Sequence, residues 1–350
     1  MVRTMTLLRA LFRPARAARR PARLADAPPP EVADGLPPDD AVLLDAPDER
    51  LGPVLVAAAL GDHGPAATLL RATRTAAEWE RRDRYVTRLA AFALSRDEWL
   101  TGWLALAPGD PDALLVAAQL AVRRAWGSPA RTERLREAAP LIDAAARTAP
   151  ADPVPWRLAL DHARGTRASH TAFEALWEQA VRRCAHHYGC HVAALRYLSA
   201  HRYGAHRECF DFAEQAAEDA PAGSLTRALP VRAAYAQLVS GDTAAVPPDR
   251  LDAAADLAIE VSGRYAPADP WPAEVRNVLA YVLVERARWA AAHHQFRLIG
   301  PYATSVPWSS SGPDALLGFL DARAGVRREV AGEVPLRGRA GRGRPGGHYA

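Results

Sequence analysis

Apolar residues recur along most of the chain at the spacing of one helix face. Over 169–184, Phe173, Leu176, Trp177, Ala180, Val181 and Cys184 follow i, i+3, i+4, i+7, i+8, i+11. Over 271–286, Val275, Val278, Leu279, Val282 and Leu283 form the same stripe. The pattern predicts helices over 48–62, 65–74, 75–95, 97–107, 111–126, 131–149, 153–164 and 169–184. It continues with 188–201, 205–220, 225–240, 249–262, 271–286, 288–299 and 313–324. Asp110-Pro111 opens one of them as an N-cap followed by a first-turn proline. Nothing between these segments reads as a strand. The body is all-α.

The connections repeat as well. Ala-rich helices end in Ala-Pro, and an Asp with a further Pro often opens the next: LAPGDPDA at 106–113, TAPADPVPW at 148–156, DAPAGS at 219–224, YAPADPWPA at 265–273. Counting from Pro108 through Pro150, Ala185, Pro221 and Pro267, the steps are 42, 35, 36 and 46 residues. Helix-turn-helix repeats of about 34 residues with insertions produce such a series. Within 191–221, Gly204 falls at the turn between two helices, Ala216 at a small position of the second and Pro221 at its end. Within 274–299, Leu279-Ala280, Ala292 and Phe296 take the corresponding small and aromatic positions. On these residues the chain resembles the tetratricopeptide repeat. Over about 100–310 it also resembles a group of actinobacterial tetratricopeptide-like proteins, through LALDHARG, FEALWEQAVRRCAHH, HVAALRYLSAHRYG, FAEQAAEDAPAGSL and LIGPYATSVPW. It departs from that group at His201-Arg202-Tyr203-Gly204, where a Lys-Trp pair before Gly-Ser is expected. The resemblance implies an α-solenoid of stacked helix hairpins and carries no activity with it.

Composition agrees with helices. Of 350 residues 77 are Ala, the best helix former, and all 44 basic residues are Arg. The formal charge of +4 is unevenly placed. Residues 1–24 carry seven Arg and no acid, and residues 327–350 carry a further net +4, so 25–326 is at −7. A folded nucleic-acid reader places its basic stripe on the domain, which this distribution does not favour. Residues 1–40 read as a basic and then Pro-rich disordered leader, in which Leu7, Leu8, Leu11 and Phe12 sit among Arg residues as in a short membrane-surface helix. Residues 41–326 read as the helical-repeat domain, and 327–350 as a Gly/Arg-rich disordered tail able to touch nucleic acid weakly. No apolar run approaches the ~18 residues of a membrane span. Three Cys make no disulfide framework, which points to a cytoplasmic protein.

One segment is dense in potential ligands. Between 184 and 209 lie Cys184, His186, His187, Cys190, His191, His201, His206 and Cys209. Thiolate and imidazole suit zinc, and an enzyme or metal-stabilised module built there is the alternative reading. No Cys-x-x-Cys pair is present, and Cys184 and Cys209 fall on apolar stripes, so packing is expected and no metal or other cofactor. No zinc helix, nucleophile elbow or phosphate loop occurs, so no enzyme is expected. The architecture favours recognition instead. First helices of successive hairpins line one inner face, which a peptide or partner protein can occupy. Arg157, Asp161, Arg164, His191, His201, Arg202, Asn277 and Tyr281 lie off the apolar stripes there and form the expected groove, suited to an acidic or C-terminal peptide.

Overall fold

Sixteen helical segments and one two-stranded pairing make up the described residues, 35–201, 206–241, 246–310 and 312–333 of a computed structural model. The helices are α1 (Gly52–Ala59), α2 (Gly64–Thr75), α3 (Trp79–Phe92), α4 (Glu98–Leu106), α5 (Pro111–Trp126), α6 (Arg131–Thr148), α7 (Val154–Thr166) and α8 (His170–Arg183). They continue with α9 (Tyr188–His201), α10 (His206–Asp219), α11 (Leu229–Ser240), α12 (Pro248–Gly263), α13 (Ala273–Glu285), α14 (Trp289–Ile299), the single turn α15 (Ser305–Trp308) and α16 (Ala315–Glu333). The all-α reading holds, and the helices match the expected segments within a few residues. Asp110 caps α5 as expected, accepting from the N–H groups of Asp112 and Ala113 at 2.8 and 3.0 Å. None of these helices is long and apolar enough to cross a membrane.

Most neighbours in sequence pack against one another, and α5, α7, α9, α11 and α13 also touch one another in that order. Alanine permits the close approach. Ala90, Ala113, Ala118, Ala180, Ala213, Ala255, Ala280 and Ala292 are all buried where helices meet. One helix leaves the row: α3 lies against α5, α7 and α9 together.

Three features depart from the expected pattern. The segment 225–240 divides, with a tight turn over Leu225–Ala228 before α11, and Pro230, without an N–H, sits in the first turn. Helix α16 runs to Glu333 rather than stopping at 324, because Val326 and Val330 continue its packed stripe. The domain therefore passes the expected boundary at 326. Residues 36–45, partly within the expected disordered leader, pack on the far end of the chain. There β1 (Leu43–Leu44) pairs in parallel with β2 (Tyr302–Ala303), and Val42 is buried among the C-terminal helices. Asp45, in the left-handed region at φ 56°, accepts from Arg88 of α3 at 2.9 Å and from Ser305. Burial raises the Asp45 carboxyl, but Arg88 and Ser305 outweigh it and hold it below the usual carboxylate range. Arg323 of α16 donates to the Pro37 carbonyl at 3.0 Å and to Asp39. The domain thus begins near Leu36, not 41. The leader and most of the Gly/Arg tail, 1–34 and 334–350, lie outside the described residues.

A chain shortened to 36–333 is expected to unfold as cooperatively as the full protein. Shortening to 46–333 removes the buried Val42 and the Asp45 bonds, and is expected to lose about 2–4 kcal/mol in a urea titration. Equal midpoints for the two would show that the 36–45 strap contributes nothing.

Candidate functional site

Arg157 and Asp161 stand one turn apart on α7 and face inward, where α3 lies. The Arg157 guanidinium donates to Asp83 Oδ1 at 3.0 and 2.6 Å, to Gln119 Oε1 at 2.5 Å and to Asp161 Oδ2 at 3.3 Å. Next to it Arg82, with no exposed surface, pairs with Asp152 at 2.5 Å and Asp112 at 2.7 Å and donates to the Leu70 carbonyl at 2.9 Å. Arg74 reaches Asp112 from outside. A buried ionic cluster therefore joins α3, α5 and α7; Arg82 Nη2, ion-paired with Asp112, and Asp161 Oδ1 are its buried atoms without a hydrogen bond.

His187 extends this cluster to α9. Its Nδ1 lies 3.2 Å from both the N–H and the Sγ of Cys190, and its Nε2 lies 4.0 Å from Glu80 and 3.9 Å from Asp83. Glu80 in turn accepts the Tyr188 N–H at 2.6 Å. Burial pulls the His187 imidazole down, yet its contacts with Cys190, Glu80 and Asp83 outweigh it and drive the group well above its ordinary value. Burial likewise raises the Glu80 carboxyl. Gly189 makes this approach possible, since a Cβ there would stand 2.2 Å from Asp83 Oδ2.

The other expected groove residues are engaged elsewhere. Arg164 stacks 4.0 Å from the centre of the Trp126 ring. His191 is buried edge-on to Trp177 and bonds the His187 carbonyl at 3.0 Å, and burial lowers its imidazole to about 4. Asn277 locks α13 to the chain end, donating to the Tyr302 carbonyl at 3.0 Å and accepting the Trp308 indole N–H at 2.8 Å. Tyr281, half-buried, meets Tyr235 and Trp308 edge-on. His201 ends α9, and Arg202 lies outside the described residues. The expected groove is therefore not one open surface: at Arg157 and Asp161 the chain's own α3 fills it. Among the metal candidates His187 and Cys190 come together, His186 offers its carbonyl to Thr226, and burial raises the Cys184 thiol and lifts Cys209 to about 11. No group of three or more His, Cys, Asp or Glu among the described residues is arranged to hold a metal.

An open cleft exists elsewhere. It has a volume of about 570 Å³, in the range of ligand-binding clefts, and lies between α4 and α6 with α5 as its floor. Leu100, Leu104, Leu120 and Leu141 line it with Ala117, Ala121 and Ala138. Its charged end holds Arg124 paired with Asp97 at 2.7 Å and Arg134 paired with Glu137 at 3.0 Å. At 100° per residue, Ala117, Ala121 and Arg124 point away from the side of α5 that presents Gln119 to Arg157. Large groups pack together at several other helix contacts: Trp126 under Arg131 and Arg164, Trp177 against Phe212, Arg250 on Phe210, Trp308 against Phe319. Here the sequence supplies alanine instead. Compared with known proteins, the chain matches no family model, no curated protein and no solved structure.

Sequence reasoning missed Glu80, Arg82, Asp83, Asp112, Gln119 and Asp152. A signal existed. Arg82 falls on the same stripe as Tyr85, Val86 and Leu89, a charged residue where an apolar one is expected.

Removing Arg157 takes from Asp83 its hydrogen-bonded cation and leaves Asp161 only Arg164 at 3.7 Å. Arg157→Ala is expected to cost about 3–5 kcal/mol in urea unfolding. A loss below ~1 kcal/mol would mean the cluster is hydrated and weak. His191 supplies a pH signature. Its folded value lies below its unfolded value of about 6.5, so the unfolded chain binds the extra proton between them. Its contribution is whole above pH 6.5 and falls as pH drops toward 4, by up to about 3 kcal/mol. His191→Phe should flatten the stability profile across that window, measured against wild type. An unchanged profile would show that His191 titrates normally.

Proposed function

We propose that this chain is a tetratricopeptide-like α-solenoid that binds a partner protein, and that the partner seats in the α4–α5–α6 cleft. The carrying observation is the cleft itself, a trough between α4 and α6 floored by alanines of α5. The solenoid reading draws support from the row α5, α7, α9, α11 and α13, each with a second helix beside it. In such a stack the row is the inner layer and α4 and α6 belong to the outer one. The inner face near Arg157 is taken by α3, so recognition moves to the outer side. From Ala117 to Ala125 the floor is about 12 Å long, room for two turns of a partner helix bearing apolar residues at i, i+4 and i+7. Three free cysteines fit a cytoplasmic setting.

Filling the trough tests this. Ala121→Trp in the full chain should leave the circular dichroism spectrum and melting midpoint near wild type while removing the proteins that wild type captures from its own cell extract. Identical partner lists for the two proteins would overturn the cleft as the binding surface.

A further inference from the structure

Around Trp126, the last residue of α5, three arginines gather with little to offset them. Arg164 of α7 stacks 4.0 Å from the centre of the Trp126 ring and Arg131, the first residue of α6, 4.7 Å from it, so two cations share one ring. Gly165 lets α7 close on that ring, since a Cβ there would stand 3.0 Å from Trp126 Cζ2. Stacking uses the face of a guanidinium and leaves its N–H groups, which lie in its plane, free to donate. Those donors find few acceptors. Asp161 Oδ1 approaches Arg164 only to 3.7 Å, and the Arg164 Nε is buried without a hydrogen bond. Among the described residues the Arg131 side chain has no ion pair or hydrogen bond, and neither has that of the exposed Arg196 of α9, which packs on α7. Burial, and then the charges of Arg196 and Arg131, pull the Arg164 guanidinium below its ordinary value against the opposing Asp161.

We propose that Arg131, Arg164 and Arg196 form a site for a phosphate group, either free or carried by a ligand. Three like charges brought together by three helices repel one another until an anion sits between them. A phosphate group carries about −1.5 to −2 charge at neutral pH and at least three acceptor oxygens, which matches several guanidinium forks at once. A single carboxylate brings one charge and two oxygens, and leaves part of the set unanswered. Trp126 acts on the site without touching the anion, by holding Arg131 and Arg164 in fixed orientations and so lowering the entropy lost on binding. The inference stands apart from the protein-binding reading above, because none of Trp126, Arg131, Arg164 and Arg196 lines the α4–α5–α6 cleft.

The test titrates the full chain with inorganic phosphate in a calorimeter, with chloride holding the ionic strength constant. One saturable site is expected. Arg131→Gln and Arg196→Gln change exposed side chains, so each should keep the melting midpoint of the phosphate-free protein near wild type. Each should nevertheless weaken the Kd at least about fivefold. Arg71→Gln, on an exposed position of α2, and Ala121→Trp in the cleft should both bind phosphate like wild type. A second arm uses a phosphoserine flanked by glycines and its unphosphorylated form. Binding of the phosphopeptide at least about tenfold tighter than inorganic phosphate supports the site with a partner protein as the source. Binding no tighter than inorganic phosphate supports it with a free phosphate or a small phosphate ester as the source. The absence of binding up to about 10 mM phosphate would overturn the proposal. So would binding that survives both Arg131→Gln and Arg196→Gln, which would hand the phosphate to the arginines elsewhere in the chain.

Discussion

The guanidinium of Arg157 decides how the N-terminal half is assembled. A cation in that position is tolerable only when fully paired, and its partners come from three helices: Asp83 of α3, Gln119 of α5 and Asp161 of α7. Charge burial of this kind specifies arrangement more than it adds stability, because desolvation offsets much of the attraction. An apolar contact accepts small slides between helices, whereas a bidentate pair does not. Arg82, with Asp112 and Asp152 as partners, imposes the same condition one layer away. Together they fix α3 across the row of helices rather than in it.

A second device works on the C-terminal half without charge compensation. Arg276, fully buried, donates to the carbonyls of Ser262, Tyr265, Ala266 and Leu298 and to the Ser262 hydroxyl. Four of its five bonds go to carbonyls at the end of α12, in the α12–α13 connection and at the end of α14, so one side chain ties these three places together. Its neighbour Asn277 does the same for 302–308. The strap at 36–45 then joins the first residues of the domain to the last helices, and Arg88 of α3 reaches it through Asp45.

The helices were legible because their signals are local. Asp110-Pro111, the Phe173 stripe and the Val275 stripe each lie within one segment, and each was read correctly. The strap was illegible because Leu43 and Leu44 pair with residues more than 250 positions away, and two residues carry no alternation to detect. The burial of Arg157 was illegible for a related reason. A polar residue off the apolar stripe of α7 reads as solvent-facing, and only the contact with α3 makes Arg157 an interior residue. Periodicity measures a helix against one partner surface, and α7 has more than one.

Opening a site beside Arg157 costs more than using the cleft between α4 and α6, which favours the cleft as the place of the proposed partner. A ligand entering beside Arg157 has to displace α3, exposing Tyr85, Val86 and Leu89, each of which has no accessible surface. At about 1.5–3 kcal/mol per side chain, that is roughly 5–9 kcal/mol before any charge is stranded. Leaving Arg157 without Asp83 adds about 3 kcal/mol or more. A micromolar complex gains about 8 kcal/mol in all, so such a ligand would have to recover its whole affinity again merely to open the site. The trough between α4 and α6 is already open. Its floor of alanines presents apolar surface with nothing to displace, and its ion pairs lie at the rim, where exposure makes them easy to exchange.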